Sequence, residues 1–438
     1  MTGSADDGPA PADEHEKVPA PPPRSLVAAI AVACAGTLVA GIGYAAASDS
    51  RPAAGRSPSG PAAAQEPPQP QGALDLAAVR ALLDRRDRAV RTRDRAAFLS
   101  SVAAAFRPQQ QALFDDLAKL PLANWRQRAD SGEPVATAPG GWIVRLTLRY
   151  RLRGYDHTDV VRTQYLTFAR RPGGVVIAGD GAAEGFSDDT EIWDGGPLTV
   201  VRGHHSLVIG NSAPTARLRQ IADRLDQAVP TVTGVAGRGW ARSAVALVPA
   251  TEAQTSALVG GAQSLREIAA LATVLPGPHG TEGDDRIVVS PVGFPKLNAI
   301  GRHVVLTHEL THVATHGAGD SRTPSWLIEG FADYVGYKGV AISVRSAARE
   351  LRRDVADGKV PRALPGPQDF AGASGRLSQA YEEAWLACRM VAERYGEPRL
   401  VRLYRAAGRR PDAIREVLGV DDAEFTAMWR SYLRRELG

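Results

Sequence analysis

Apolar residues return at helical spacing from Leu76 to Phe98 and on to about Leu120, after which the pattern changes to the alternation of half-buried strands. Alternation runs through Trp142–Tyr150 and Val160–Ala169, and the short apolar runs Val175–Ile177 and Leu198–Val201 follow. Arg286–Pro291 reads as a further short strand, β-branched and closed by proline. Val304, Val305 and Leu306 on one side and Val313 and Ala314 on the other then enclose a polar stretch, the pattern of a helix sunk into a core with one polar face. Asn298 fits as its N-cap and Gly317 as its stop. A second helix is predicted to start at Thr323 as N-cap with Pro324 as its first residue. Beyond it the chain is predicted almost wholly helical, with stops at Gly358 and Gly396, a start at Pro411 and a cap at Asp421 and Asp422.

One run differs from all of these. Leu26 to Ala47 is uncharged and long enough to cross a hydrocarbon core as a helix. Ala31-Val32-Ala33-Cys34 offers a lipoprotein-type cleavage site as the competing reading, but the apolar run continues well past Cys34, which favours an uncleaved anchor. The organisation expected is a disordered cytoplasmic tail at 1–24, a transmembrane helix at 25–47 and a Pro- and Ala-rich linker at 48–72. An α+β module follows at 73–203, and a second domain at 204–438. Helices followed by a curved antiparallel sheet suggest a cone of the nuclear transport factor 2-like type for 73–203, read as a binding or positioning module. Lys17 and Arg24 before the span nearly balance Arg51 and Arg56 after it, so the nearness of the span to the amino terminus decides the topology: one crossing, with the bulk of the chain outside the cytoplasm.

Charge and cysteine content exclude some classes. The net charge is +4 over 438 residues, and Arg85, Arg86, Arg88, Arg91, Arg93 and Arg95 interleave with Asp84, Asp87 and Asp94, which reads as a salt-bridged solvated face and not as a nucleic-acid patch. The only cysteines, Cys34 and Cys388, lie in the apolar run and in a late helix, so no disulfide is expected in the outer domains.

The candidate chemistry lies in His308-Glu309-Leu310-Thr311-His312. On a helix, residues i and i+4 share a face, so both imidazoles can reach one zinc ion with Glu309 beside it. A third ligand is required, and Glu329 in Trp326-Leu327-Ile328-Glu329-Gly330-Phe331-Ala332-Asp333 is the candidate, with Asp333 one turn on to orient a ligand histidine. His316 falls one turn past His312, where three consecutive ligands on a straight helix could not converge on one ion. His157, His204, His205, His279 and His303 have no partner at ligand spacing.

These two motifs resemble the gluzincin branch of zinc metallopeptidases, the thermolysin-like group, and within it the peptidase MA-like family of bacterial proteins. The resemblance covers roughly the last half of the chain. It implies a mostly helical zincin-type domain with a small sheet, Zn2+ held by His308, His312 and Glu329, Asp333 as the carboxylate behind a ligand, and hydrolysis of peptide bonds by a zinc-activated water with Glu309 as general base. The chain has a shorter spacer between His312 and Glu329 than thermolysin and lacks the Gly-Ala-Met-Glu-Asn motif of the zinc aminopeptidases. Related enzymes supply an oxyanion donor from a later helix, which makes Tyr381 a candidate, although its spacing from Trp385 equally suits a core aromatic. The resemblance also suggests that Arg286–Pro291 pairs with an extended substrate. Two functions stand open: a membrane-anchored zinc peptidase acting on peptides or proteins, or a non-catalytic surface protein that keeps the fold to bind a partner.

Overall fold

The computed structural model describes residues 73–130, 133–260, 268–371 and 374–438. The tail, the apolar run and the linker expected before residue 73 lie outside the described residues, and among the described ones no helix is long and apolar enough to cross a membrane.

Three helices open the described chain: α1 (Leu76–Thr92), α2 (Arg95–Ser100) and α3 (Arg107–Leu117). The periodicity had suggested one helix through Phe98. Arg93 breaks it by adopting a left-handed conformation (φ 58°), and Asp94 restarts it by accepting a hydrogen bond from Ala97 N–H. The strands β1 (Leu122–Ala129), β2 (Ala136–Ala138), β3 (Gly141–Leu152), β4 (Val160–Arg171) and β5 (Gly174–Asp180) form a curled antiparallel sheet of order β1-β3-β4-β5, with β2 on β3. One arginine departs from the solvated face expected of α1. Arg86 is buried, its guanidinium 3.7 Å from the centre of the Phe98 ring, and it donates to Gln127, Ser101 and Gln110. Burial pulls its pKa down to about 9, against the opposing pull of Asp87. Charge alternation cannot distinguish this residue from its neighbours, because the side chains that receive it come from α2, α3 and β1.

A second, mixed sheet contains β6 (Leu198–Arg202), β7 (Ser206–Asn211), β8 (Ala244–Val248), β9 (Ala270–Pro276) and β10 (Glu282–Val289), in the order β6-β7-β8-β10-β9. The strand predicted at Leu198–Val201 is therefore β6, joined to β7 by a tight antiparallel hairpin. Side chains alternate across this sheet. Leu207, Ile209, Val245, Leu247, Leu271 and Val288 enter a core shared with Phe98, Trp125 and Tyr150 of the N-terminal layer. Val208, Ala244, Ala246, Ala270, Ile287 and Val289 enter the core of the C-terminal helices.

The remaining helices are α4 (Thr215–Ala236), α5 (Glu252–Leu258), whose Leu258 enters the core shared with the N-terminal layer, α6 (Ala299–Thr315), α7 (Ser325–Gly336), α8 (Val344–Ala347), α9 (Arg349–Ala356), α10 (Leu377–Tyr395), α11 (Glu397–Ala407), α12 (Ala413–Leu418) and α13 (Asp422–Leu437). Several predicted ends are found in place. Asn298 Oδ1 accepts from Gly301 N–H at 2.8 Å, Gly396 closes α10 at φ 87°, and Asp421 and Glu424 form a reciprocal cap on α13. Two are displaced. His316, not Gly317, takes the left-handed position that ends α6, and α7 begins at Ser325 after Pro324, with no side-chain cap from Thr323. The buried Cys388 is free.

Candidate metal centre

The site is assembled where α6 crosses α7 under the edge of the mixed sheet. Helical spacing brings the His308 and His312 rings edge to face, 4.7 Å apart, and their Nε2 atoms approach to 2.9 Å. Glu329 on α7 places Oε2 3.2 Å from His308 Nε2 and 3.4 Å from His312 Nε2. The structure thus brings together the three residues expected to ligate, and among the described residues no other group of three His, Cys, Asp or Glu side chains converges in this way.

Close helix packing sets this geometry. A Cβ at Gly330 would lie 2.2 Å from the Ala384 carbonyl oxygen, and one at Gly336 would lie 3.0 Å from the Val304 carbonyl oxygen. Two glycines therefore let α7 press against α10 on one side and α6 on the other, with Glu329 and Asp333 between them.

Asp333 Oδ1 lies 2.8 Å from His308 Nδ1. Accepting from Nδ1–H leaves the Nε2 lone pair directed at the centre of the triad. Burial opposes a charge on His308, but Asp333, Glu329 and Glu309 outweigh it and hold its pKa well above 6.5. For Glu329, burial is outweighed by His312 and His308, and its pKa falls to about 2. Burial prevails at Asp333, whose pKa is raised despite His308.

These residues fit a zinc ion. Zinc to nitrogen bonds of about 2.0–2.1 Å give a tetrahedron with edges of about 3.3 Å, and the three donor separations here are 2.9, 3.2 and 3.4 Å. The donor set, two imidazoles and one carboxylate, suits zinc. A divalent cation would also offset the charge of Glu309, Glu329 and Asp333, all buried in one place.

Glu309 points toward the sheet, where its Oε2 accepts from Ala272 N–H of β9 at 2.7 Å. This partner could not be read from the sequence. Of the strand expected to meet substrate, Arg286–Pro291, residues 286–289 form the end of β10, which is paired with β8 on one side and β9 on the other. Its backbone is therefore committed within the sheet, and the edge beside α6 is β9. The unbroken apolar run Ile287-Val288-Val289 was the available signal, since such runs mark strands covered on both faces.

Tyr381 of α10 stands beside the triad, its ring centre 6.1 Å from that of His308 and 5.2 Å from that of Phe370. His316 lies outside the triad and places Nδ1 3.3 Å from Asp285 Oδ2. The whole site is enclosed: His308, Glu309 and Glu329 are 0 % exposed and His312 3 %. No family model matches the chain, and no curated protein matches its sequence.

Proposed function

We propose that the chain is a zinc-dependent peptidase of gluzincin type, its catalytic part lying in residues 204–438, and that it hydrolyses peptide bonds. The observation that carries this reading is the triangle of His308, His312 and Glu329 together with Asp333 behind His308. When bound, zinc supplies Lewis-acid polarisation of a carbonyl and acidifies water. His308, His312 and Glu329 hold the ion. Asp333 keeps His308 in the ligating tautomer. Glu309, steadied by Ala272 N–H, takes the proton from the attacking water and delivers it to the departing amine. A purely structural site has no use for such a base. Tyr381 serves as the donor to the oxyanion that develops on the scissile carbonyl. The same reading takes 73–203 as a cone of the nuclear transport factor 2-like type that positions a peptide or protein substrate, with no part for nucleic acid. Leu26 to Ala47 anchors the chain by a single crossing, leaving the folded parts outside the cytoplasm.

The full enclosure of the site favours a second reading, a non-catalytic surface protein in which the ion only stabilises the fold. The purified full-length chain in detergent, incubated with a peptide library with and without chelator, separates the two. A peptidase loses cleavage on chelation and in Glu309→Gln, whereas a scaffold loses thermal stability on chelation and cleaves nothing at any stage.

A further inference from the structure

We propose that Tyr404 is the positioning residue for His312, its hydroxyl oxygen accepting through one water lodged beside Gly317. This rests on the zinc reading of the site. A histidine that ligates through Nε2 carries its proton on Nδ1, and that N–H needs an acceptor. For His308 the acceptor is Asp333. The Nδ1 of His312 is also buried, and it has no hydrogen-bond partner among the described residues.

The surroundings converge on that nitrogen. A Cβ built on Gly317 would lie 2.8 Å from His312 Nδ1, 3.1 Å from Tyr404 Oη and 3.2 Å from Thr315 Oγ1. Three polar atoms thus crowd one point beside Gly317, where a Cβ would press on His312 Nδ1. Counting protons selects among them. Thr315 donates its hydroxyl to the Thr311 carbonyl at 2.9 Å, and Tyr404 donates its own to Thr315 Oγ1 at 3.1 Å. The Tyr404 oxygen thereby retains acceptor capacity. The chain of donors then runs from His312 N–H to water, from water to Tyr404, from Tyr404 to Thr315 and from Thr315 to the Thr311 carbonyl.

Tyr404 is suited to this position. Its ring stacks on Phe331, 4.5 Å between centres, two residues from Glu329. Burial raises its pKa, so the hydroxyl keeps the proton that it gives to Thr315. With Thr315 it also lines a polar cavity of about 610 Å³, bordered by Asp320, Thr323 and Arg405.

The test compares zinc affinity, by competition with a chromophoric chelator, in the full-length wild type, Tyr404→Phe and Gly317→Ala, with the metal-free melting temperature measured in parallel. Tyr404→Phe removes one oxygen. It should weaken zinc binding about tenfold or more while the metal-free melting temperature stays close to wild type. Gly317→Ala should weaken binding as well, because its Cβ crowds His312 Nδ1 and the water beside it. Unchanged affinity in both variants, or a loss that merely follows lowered metal-free stability, overturns the proposal while leaving the zinc reading intact. A wild type that takes up no zinc overturns both.

Discussion

The backbone N–H of Ala272 donates to Glu309 Oε2 at 2.7 Å, so the carboxylate next to the first histidine is tied to the edge strand of the sheet. Because Ala272 faces Ile287 across the β9–β10 ladder and the neighbouring pairs carry the ladder bonds, this N–H points away from the sheet and toward α6. The bond fixes the direction of the carboxylate while leaving the imidazoles to a cation.

Glu309→Gln tests that division of labour. The amide keeps an oxygen for Ala272 N–H but cannot take a proton. Zinc content should stay at the wild-type level while kcat falls by about 10²- to 10⁴-fold, measured by peptide hydrolysis and metal analysis of one preparation.

Asp333→Ala leaves the His308 Nδ1–H buried without its acceptor. Zinc affinity should fall about 10- to 100-fold, read by chelator competition. Affinity equal to wild type would remove Asp333 from the site.

Gly330→Ala places a methyl group against the Ala384 carbonyl. Backbone cannot yield as a flexible side chain can, so α7 must move away from α10, carrying Glu329 and Asp333 with it. The expected cost is about 1–3 kcal/mol of stability. A chemical melt with and without zinc should also show that the stabilisation gained on adding zinc shrinks, because binding to the native state alone produces it.

Glu383 on α10 is buried, and burial raises its pKa to about 7 against the lowering effect of Arg376, whose Nη2 lies 2.7 Å from its Oε1. The folded chain therefore holds this proton at pH values where the unfolded chain, near 4.5, has released it. The contribution is fully present below pH 4.5 and is lost as pH rises through 7. Glu383→Gln keeps an acceptor for Arg376 and cannot ionise. Its melting temperature should fall less than that of the wild type between pH 5 and pH 8.

The legible part of the site is local in sequence. Two histidines one turn apart, a glutamate and aspartate one turn apart, and the caps Asn298 and Asp421 each depend on spacing within one helix, and spacing is what a sequence displays. The parts that escaped depend on a neighbour distant along the chain. Ala272 meets Glu309 only because β9 forms the outer edge, Arg86 is buried only because α2, α3 and β1 close over it, and the glycine at 330 matters only because α10 passes there. The split of the first helix at Arg93 was local, yet apolar periodicity continues across it, which hides the break.

The alternation of the mixed sheet has a further consequence for how the molecule can be divided. Leu207, Ile209, Val245, Leu247, Leu271 and Val288 are furnished by the same strands that carry the metal-bearing helices, but they are sheltered by the layer that precedes them. Each such side chain, fully sheltered, stabilises by about 1.5–3 kcal/mol. Cutting the chain near residue 204 would lay that whole face open to water, and the separated half would stick to itself before it folded. The amino-terminal layer is thus a structural wall of the half that holds the His308, His312 and Glu329 triad, and the two should melt together as one cooperative body.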